Sequence, residues 1–120
     1  MLTLCKIREV SRAIAEFERR FEQKYRLSMN EGVLLCCLAQ HGELSSGEIA
    51  EVLQLTCSNT SKVIRSVEDK GFVTRKPGKD DRRQMYFSLT SAGRAELERL
   101  QPCSIALPEL LGQFLRESHM

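Results

Sequence analysis

Residues 44–93 read LSSGEIAEVLQLTCSNTSKVIRSVEDKGFVTRKPGKDDRRQMYFSLTSAG, and this stretch decides the fold. Ser45 followed three residues later by Glu48 has the form of a capping box, the reciprocal pairing that opens a helix, and Ile49, Ala50, Val52 and Leu53 supply its apolar face. A turn follows at once. Thr56 is then placed to cap a second helix running to Lys70, with Thr60, Val63, Ile64 and Val67 as its buried stripe and Gly71 as the left-handed residue that ends it. Two short helices in tandem make a helix-turn-helix. Past Gly71 the period changes. Phe72-Val73-Thr74 reads as one strand, and Met85, Phe87 and Leu89 alternating with Tyr86 and Ser88 as another, which together form a β-hairpin. The loop between them, Pro77 to Gln84, holds a turn signal and no apolar residue, so it projects into solvent.

Working outward, Ile7, Val10, Ile14, Phe17 and Phe21 recur at steps of three and four and predict a long amphipathic helix with coiled-coil spacing. Ser28 with Glu31 predicts the start of a second helix through Val33, Leu34, Leu35, Leu38 and Ala39 that stops near Gly42. That helix is hydrophobic nearly all round, so it is expected in the core, with Cys36 and Cys37 as small core residues. Thr90 or Ser91 caps a fifth helix through Ala95, Leu97 and Leu100, broken around Pro102. A last apolar stripe, Leu107, Leu110, Leu111, Phe114 and Leu115, has no later chain to cover it. Both terminal stripes therefore fit a second copy of the chain.

Composition narrows the class. The chain has 120 residues, 42% of them hydrophobic and 28% charged, which fits one soluble globular domain. The longest apolar run, Val33 to Ala39, is far short of the roughly 20 residues that cross a bilayer. Lys6, Arg8, Glu9 and Arg12 interrupt the beginning before a secretion signal can form, so a cytoplasmic location is expected, with no membrane contact. Five cysteines, two of them adjacent, argue against a disulfide scaffold. Enzyme motifs are absent: there is no Gly-rich phosphate loop, metal-protease helix or nucleophile elbow, and only two histidines. No cofactor is expected. Cys37 and His41 lie one helical turn apart, but two ligands are too few for structural zinc, so no metal is expected either.

The net charge of +2 says little, but its distribution says more. Residues 57–94 hold 9 basic and 4 acidic groups, residues 1–56 hold 7 and 8, and residues 95–120 hold 2 and 4. The basic excess thus falls on the second short helix and the hairpin, as expected where a chain touches a polyanion. On that helix Ser58, Asn59, Ser61, Lys62 and Arg65 lie opposite the buried stripe, and Thr60 is counted with both sets. Its N-terminal end suits base edges and phosphate. On the hairpin, Arg82 and Arg83 suit a narrow minor groove, where negative potential is concentrated. Arg75, Lys76 and Lys79 would add phosphate contacts, and Asp81 would orient an arginine. A helix for the major groove beside a loop for the minor groove is a winged helix.

From Leu27 to Leu100 the sequence resembles the MarR-type winged-helix transcription regulators. The resemblance rests on Leu44-Ser45-Ser46-Gly47-Glu48-Ile49-Ala50 leading into the Ser58 to Arg65 helix. It rests also on Glu68-Asp69-Lys70-Gly71-Phe72-Val73-Thr74-Arg75, and on Asp81-Arg82-Arg83 followed by Leu89-Thr90-Ser91-Ala92-Gly93. It implies a fold that is mainly α with a small β-hairpin wing, residues 28–90 being the DNA-binding part and residues 1–27 and 91–120 the dimerisation helices. It further implies a homodimer on a palindromic operator, usually a repressor, with Asp81 orienting and Arg83 entering the minor groove. Regulators of this type commonly release double-stranded DNA on binding a small-molecule effector or on thiol oxidation. For the latter, Cys5 and Cys103 are the candidates by position. Cys57, at the start of the recognition helix, is read as a small helix residue. Gln54 stands where the family usually has glycine, and a left-handed backbone there costs a non-glycine residue roughly 1 kcal/mol, which leaves room for a differently shaped turn. Two other readings compete: a thiol-based redox-sensing repressor using Cys5, and a winged-helix module for protein contact.

Overall fold

A computed structural model describes residues 2–81 and 83–100. These divide into two compact units, residues 2–28 and residues 29–100. Arg82, Cys103 and the expected last helix through Leu107 and Leu115 lie outside the described residues.

The first unit is built on α1 (Thr3–Tyr25), which ends where Arg26 turns left-handed at φ 60° and donates its N–H to the Glu22 carbonyl. Glu16 takes Arg19 and Arg20 along one exposed side. Phe17, Phe21 and Tyr25 continue one another as a row of tilted rings, 6.2 and 5.0 Å between successive centroids. Toward the other end of the helix the apolar stripe is open: Leu4 is 77% exposed and Ile7 58%.

The second unit contains α2 (Met29–His41), β1 (Leu44–Ser45), α3 (Ser46–Leu53), α4 (Cys57–Asp69), β2 (Val73–Pro77), β3 (Met85–Leu89) and α5 (Ser91–Leu100). Leu34, Leu35 and Leu38 of α2 are buried with Ile49 of α3, Ile64 and Val67 of α4, and Val73 and Phe87 of the sheet. The leucines occupy one side of α2, so Cys36, on the other, is exposed and Cys37 only half-buried, contrary to their expected place in the core. Burial pushes the Cys37 thiol pKa up, and the neighbouring Cys36 adds to the shift.

The expected hairpin is an antiparallel pair with Val73 opposite Leu89, Arg75 opposite Phe87 and Pro77 opposite Met85. Its first strand runs further than Thr74 because β3 offers partners as far as Met85. Pro77 is tolerated because β2 is an edge strand, where a missing N–H breaks no ladder. A two-residue strand completes the sheet, Leu44 pairing with Phe87 and Ser45 with Tyr86. Two residues show no period-2 alternation, so sequence periodicity gives no sign of it.

The hairpin is tied to the helices at its base. Thr90 caps α5 by accepting from the Gly93 N–H at 3.0 Å, and its hydroxyl donates to the Gly71 carbonyl at 2.6 Å. Gly93 lets α5 pass the strand entrance closely, since a Cβ there would stand 2.1 Å from the Phe72 carbonyl oxygen. The Leu-Thr-x-x-Gly pattern at Leu89 to Gly93 is thus one joint between wing and helix.

Candidate nucleic-acid interface

The helix-turn-helix forms by the caps its sequence predicts. Ser45 donates its backbone N–H to Glu48 Oε1 at 2.9 Å and its Oγ accepts from the Glu48 N–H at 3.2 Å, closing the capping box of α3. The Ser45 backbone N–H, and after it the Ser45 hydroxyl, hold the Glu48 carboxyl below the usual carboxylate range. Thr56 Oγ1 accepts from the Asn59 N–H at 3.1 Å and opens α4. Between them Gln54 is left-handed, φ 56° and ψ 44°, so the turn keeps the shape that glycine would give. The chain meets this conformational cost with local bonds: the Gln54 side-chain amide donates to the Glu51 carbonyl at 2.7 Å, and the Leu55 N–H donates to the Ala50 carbonyl at 3.1 Å.

On α4, Ser58, Asn59, Ser61, Lys62 and Arg65 are exposed, as expected for residues that meet a partner. Thr60 is not among them. It is 1% exposed and its hydroxyl donates to the Thr56 carbonyl at 2.8 Å, so it packs in the core and has no reach toward a base. A threonine alternates readily between such roles because its hydroxyl can bond back along its own helix. Cys57, the first residue of α4, is exposed, and so is Cys5 on α1.

The wing tip closes on itself. The Gly78 N–H donates to the Gln84 carbonyl at 2.7 Å and the Gln84 N–H to the Asp81 carbonyl at 3.1 Å. A Cβ at Gly78 would meet the Asp81 carbonyl oxygen at 2.7 Å and the Tyr86 ring at 2.9 Å. Asp81 Oδ1 accepts the Arg83 backbone N–H at 3.0 Å and stands 3.8 Å from Arg83 Nε. The Arg83 side chain is 97% exposed, so apart from this carboxylate it stands in solvent.

Two cations expected at phosphate are held by acids. Arg75 donates Nε to Glu68 Oε2 at 2.7 Å and Nη2 to Glu68 Oε1 at 2.5 Å. That pairing holds the Glu68 carboxyl below its ordinary range. Lys76 Nζ stands 3.0 Å from Glu43 Oε2. Lys79 is exposed at the tip. A third acid, Glu31 of α2, is buried and accepts from Ser66 Oγ at 2.8 Å and Lys70 Nζ at 2.7 Å, fixing α2 to the last turn of α4. Sequence inspection takes Glu31 for a capping residue and Glu68 only as the first residue of the stretch that ends at Arg75. The available signal is the Glu68 to Arg75 spacing with a left-handed Gly71 (φ 81°) between them, which folds the strand back past the end of the helix.

Helix and wing share one open groove of about 700 Å³, lined by Ser61 and Arg65 of α4 and by Arg75, Asp81, Arg83 and Gln84 of the wing, among others. Polar helix residues and the arginine-bearing loop therefore face the same space. Ser58, Ser61, Lys62 and Arg65 also border a shallower depression along α4.

The sequence model of the MarR family matches residues 27–85, from just before α2 into β3. YwaE, an uncharacterized HTH-type transcriptional regulator of Bacillus subtilis, is 30% identical over 95 residues, which is 79% of this chain and 56% of that protein. Among solved structures, S. aureus MepR in its DNA-binding conformation aligns with a TM-score of 0.77 at 21% identity, covering 98% of this chain and 85% of that one. A cysteine-to-serine mutant of E. coli MarR complexed with operator DNA aligns at 0.69 and 20% identity, covering 77% of this chain and 68% of that one. These structural likenesses are of fold. The chain spans about half the length of the curated relatives it matches. The matched segment is the one that carries the capped helix pair and the wing, and on it the chain belongs to the MarR family of transcription regulators.

Proposed function

We propose that the chain binds double-stranded DNA sequence-specifically as a homodimer on a palindromic operator, and represses transcription by occupying it. One observation carries the reading: the exposed polar face of α4 and the wing arginine border the same groove. In this reading Ser58, Asn59 and Ser61 meet base edges in the major groove, Lys62 and Arg65 meet phosphate, and Arg83 enters the adjacent minor groove. The likeness to a MarR protein complexed with operator DNA supports it. The open apolar stripe on α1, where Thr3, Lys6, Ile7, Val10, Ser11 and Ile14 line an almost wholly apolar depression, supports the second copy. No described helix is long and apolar enough to cross a membrane. A cytoplasmic location follows from the proposed partner.

The experiment is selection of duplexes from a random-sequence pool, followed by salt titration of the best one. A dimer that neutralises several phosphates per subunit loses roughly a thousandfold in affinity between about 50 and 200 mM salt. A winged-helix module for protein contact captures no duplex at micromolar concentration, and that result would end this reading.

A further inference from the structure

Arg75 lies in the groove between helix and wing, where composition suggests a phosphate contact, but its surroundings suit a different task. Both nitrogens on one edge of its guanidinium donate to the two oxygens of Glu68, the fork-to-fork geometry that fixes direction as well as distance. The guanidinium carbon Cζ lies over Phe87, 5.4 Å from the ring centroid. Phe87 is itself buried and stands directly opposite Arg75 in the hairpin register. One side chain thus joins the last turn of α4, the edge strand β2 and the central strand β3. The carboxylate it holds is only 18% exposed, so the pair is partly sheltered from solvent.

We infer that Arg75 is a positioning residue: with Glu68 and Phe87 it sets the angle between the recognition helix and the wing, and through that angle the ability to read both grooves of one site at once. The inference rests on the proposed DNA-binding function and assigns Arg75 a role distinct from contact with the partner. Its charge is already matched by Glu68, whereas Asp81 leaves Arg83 almost fully exposed. Lysine cannot replace it, because an ammonium lacks the planar fork that makes the paired bonds to Glu68.

The two roles predict opposite results for Glu68→Gln. By charge alone, removing an acid beside the groove tightens binding to every duplex. If the pair sets an angle, Glu68→Gln and Arg75→Lys each weaken binding to the selected duplex by about tenfold, while affinity for a scrambled duplex stays level or rises. The salt slope is the second readout. Were Arg75 to neutralise a phosphate, Arg75→Gln would lower the slope by about 0.9 per subunit, whereas as a positioning variant it leaves the slope unchanged. A third readout needs no DNA: amide hydrogen exchange across residues 73–89 should speed up in Arg75→Gln and Glu68→Gln while α2 and α3 stay as slow as in the parent protein. If the parent captures no duplex, the functional reading fails, and the exchange data still decide whether the pair holds the wing. Tighter binding of the selected duplex by Glu68→Gln, full activity of Arg75→Lys, or unchanged wing exchange overturns the inference.

Discussion

The base and the tip of the wing carry the same kind of charge and use it in opposite ways. At the base, Arg75 is paired with Glu68 and lies over the Phe87 ring, and beside it Thr90 and Gly93 lock the strand entrance to α5. At the tip, Arg83 has one carboxylate 3.8 Å away and is otherwise in water. The difference lies in the partners. A cation whose acid is delivered by another element holds the fold together, and one whose acid is its own near neighbour is aimed outward. Basic composition alone treats the two alike.

Changes at the base should therefore act through the fold, in its stability or in the angle between helix and wing, and changes at the tip should cost binding directly. The largest expected effect is Gly93→Ala. The added Cβ meets a backbone carbonyl that cannot move aside freely, so we expect a loss of roughly 2–3 kcal/mol, read by denaturant unfolding. Next comes Arg83→Ala, which should weaken binding to a selected duplex by about 1–3 kcal/mol while leaving the unfolding midpoint unchanged. A shift in the midpoint comparable to that of Gly93→Ala would erase the contrast between base and tip.

Two smaller effects sharpen it. Gln54→Gly, in the turn between α3 and α4, should stabilise the fold by about 0.5–1 kcal/mol by relieving the left-handed backbone. The gain is limited by the lost side-chain bond to Glu51 and by glycine's freedom when unfolded. The Glu68–Arg75 pair should contribute only about 0.5 kcal/mol, because the guanidinium is half-exposed. Its pH dependence has a definite sign. The folded pKa of Glu68 lies below its unfolded value, so the contribution is full at neutral pH. It disappears as pH falls below about 4.3 and on through the depressed folded value. The stability difference between the parent and Arg75→Gln should shrink over that range, and a difference that grew on acidification would contradict the pairing.

How much of this was legible in the sequence follows from the range of each interaction. The caps at Ser45, Thr56 and Thr90 are local, and the structure has them where the residues predict. The left-handed turns at Gly42 and Gly71 are equally local. The third strand was not legible because Leu44–Ser45 is too short to show a period. Thr60 was ambiguous because its type suits a core, a helix bond or a base. The exposure of Cys36 depends on which side of an all-apolar helix the leucines occupy. The acids that hold Arg75, Lys76 and Lys70 lie 7, 33 and 39 residues away in sequence, at Glu68, Glu43 and Glu31, and composition cannot assign such partners.

The central claim is that α4 and the wing address one stretch of DNA from its two grooves. Dimethyl sulfate probing of a selected duplex reads both grooves together, since it methylates guanine N7 on the major-groove side and adenine N3 on the minor-groove side. The account predicts protected guanines within each half-site, protected adenines flanking them, and recovery of the flanking adenines alone in Arg83→Ala. Adenines that react freely in the parent complex, or guanine and adenine protection lost together in Arg83→Ala, would contradict it.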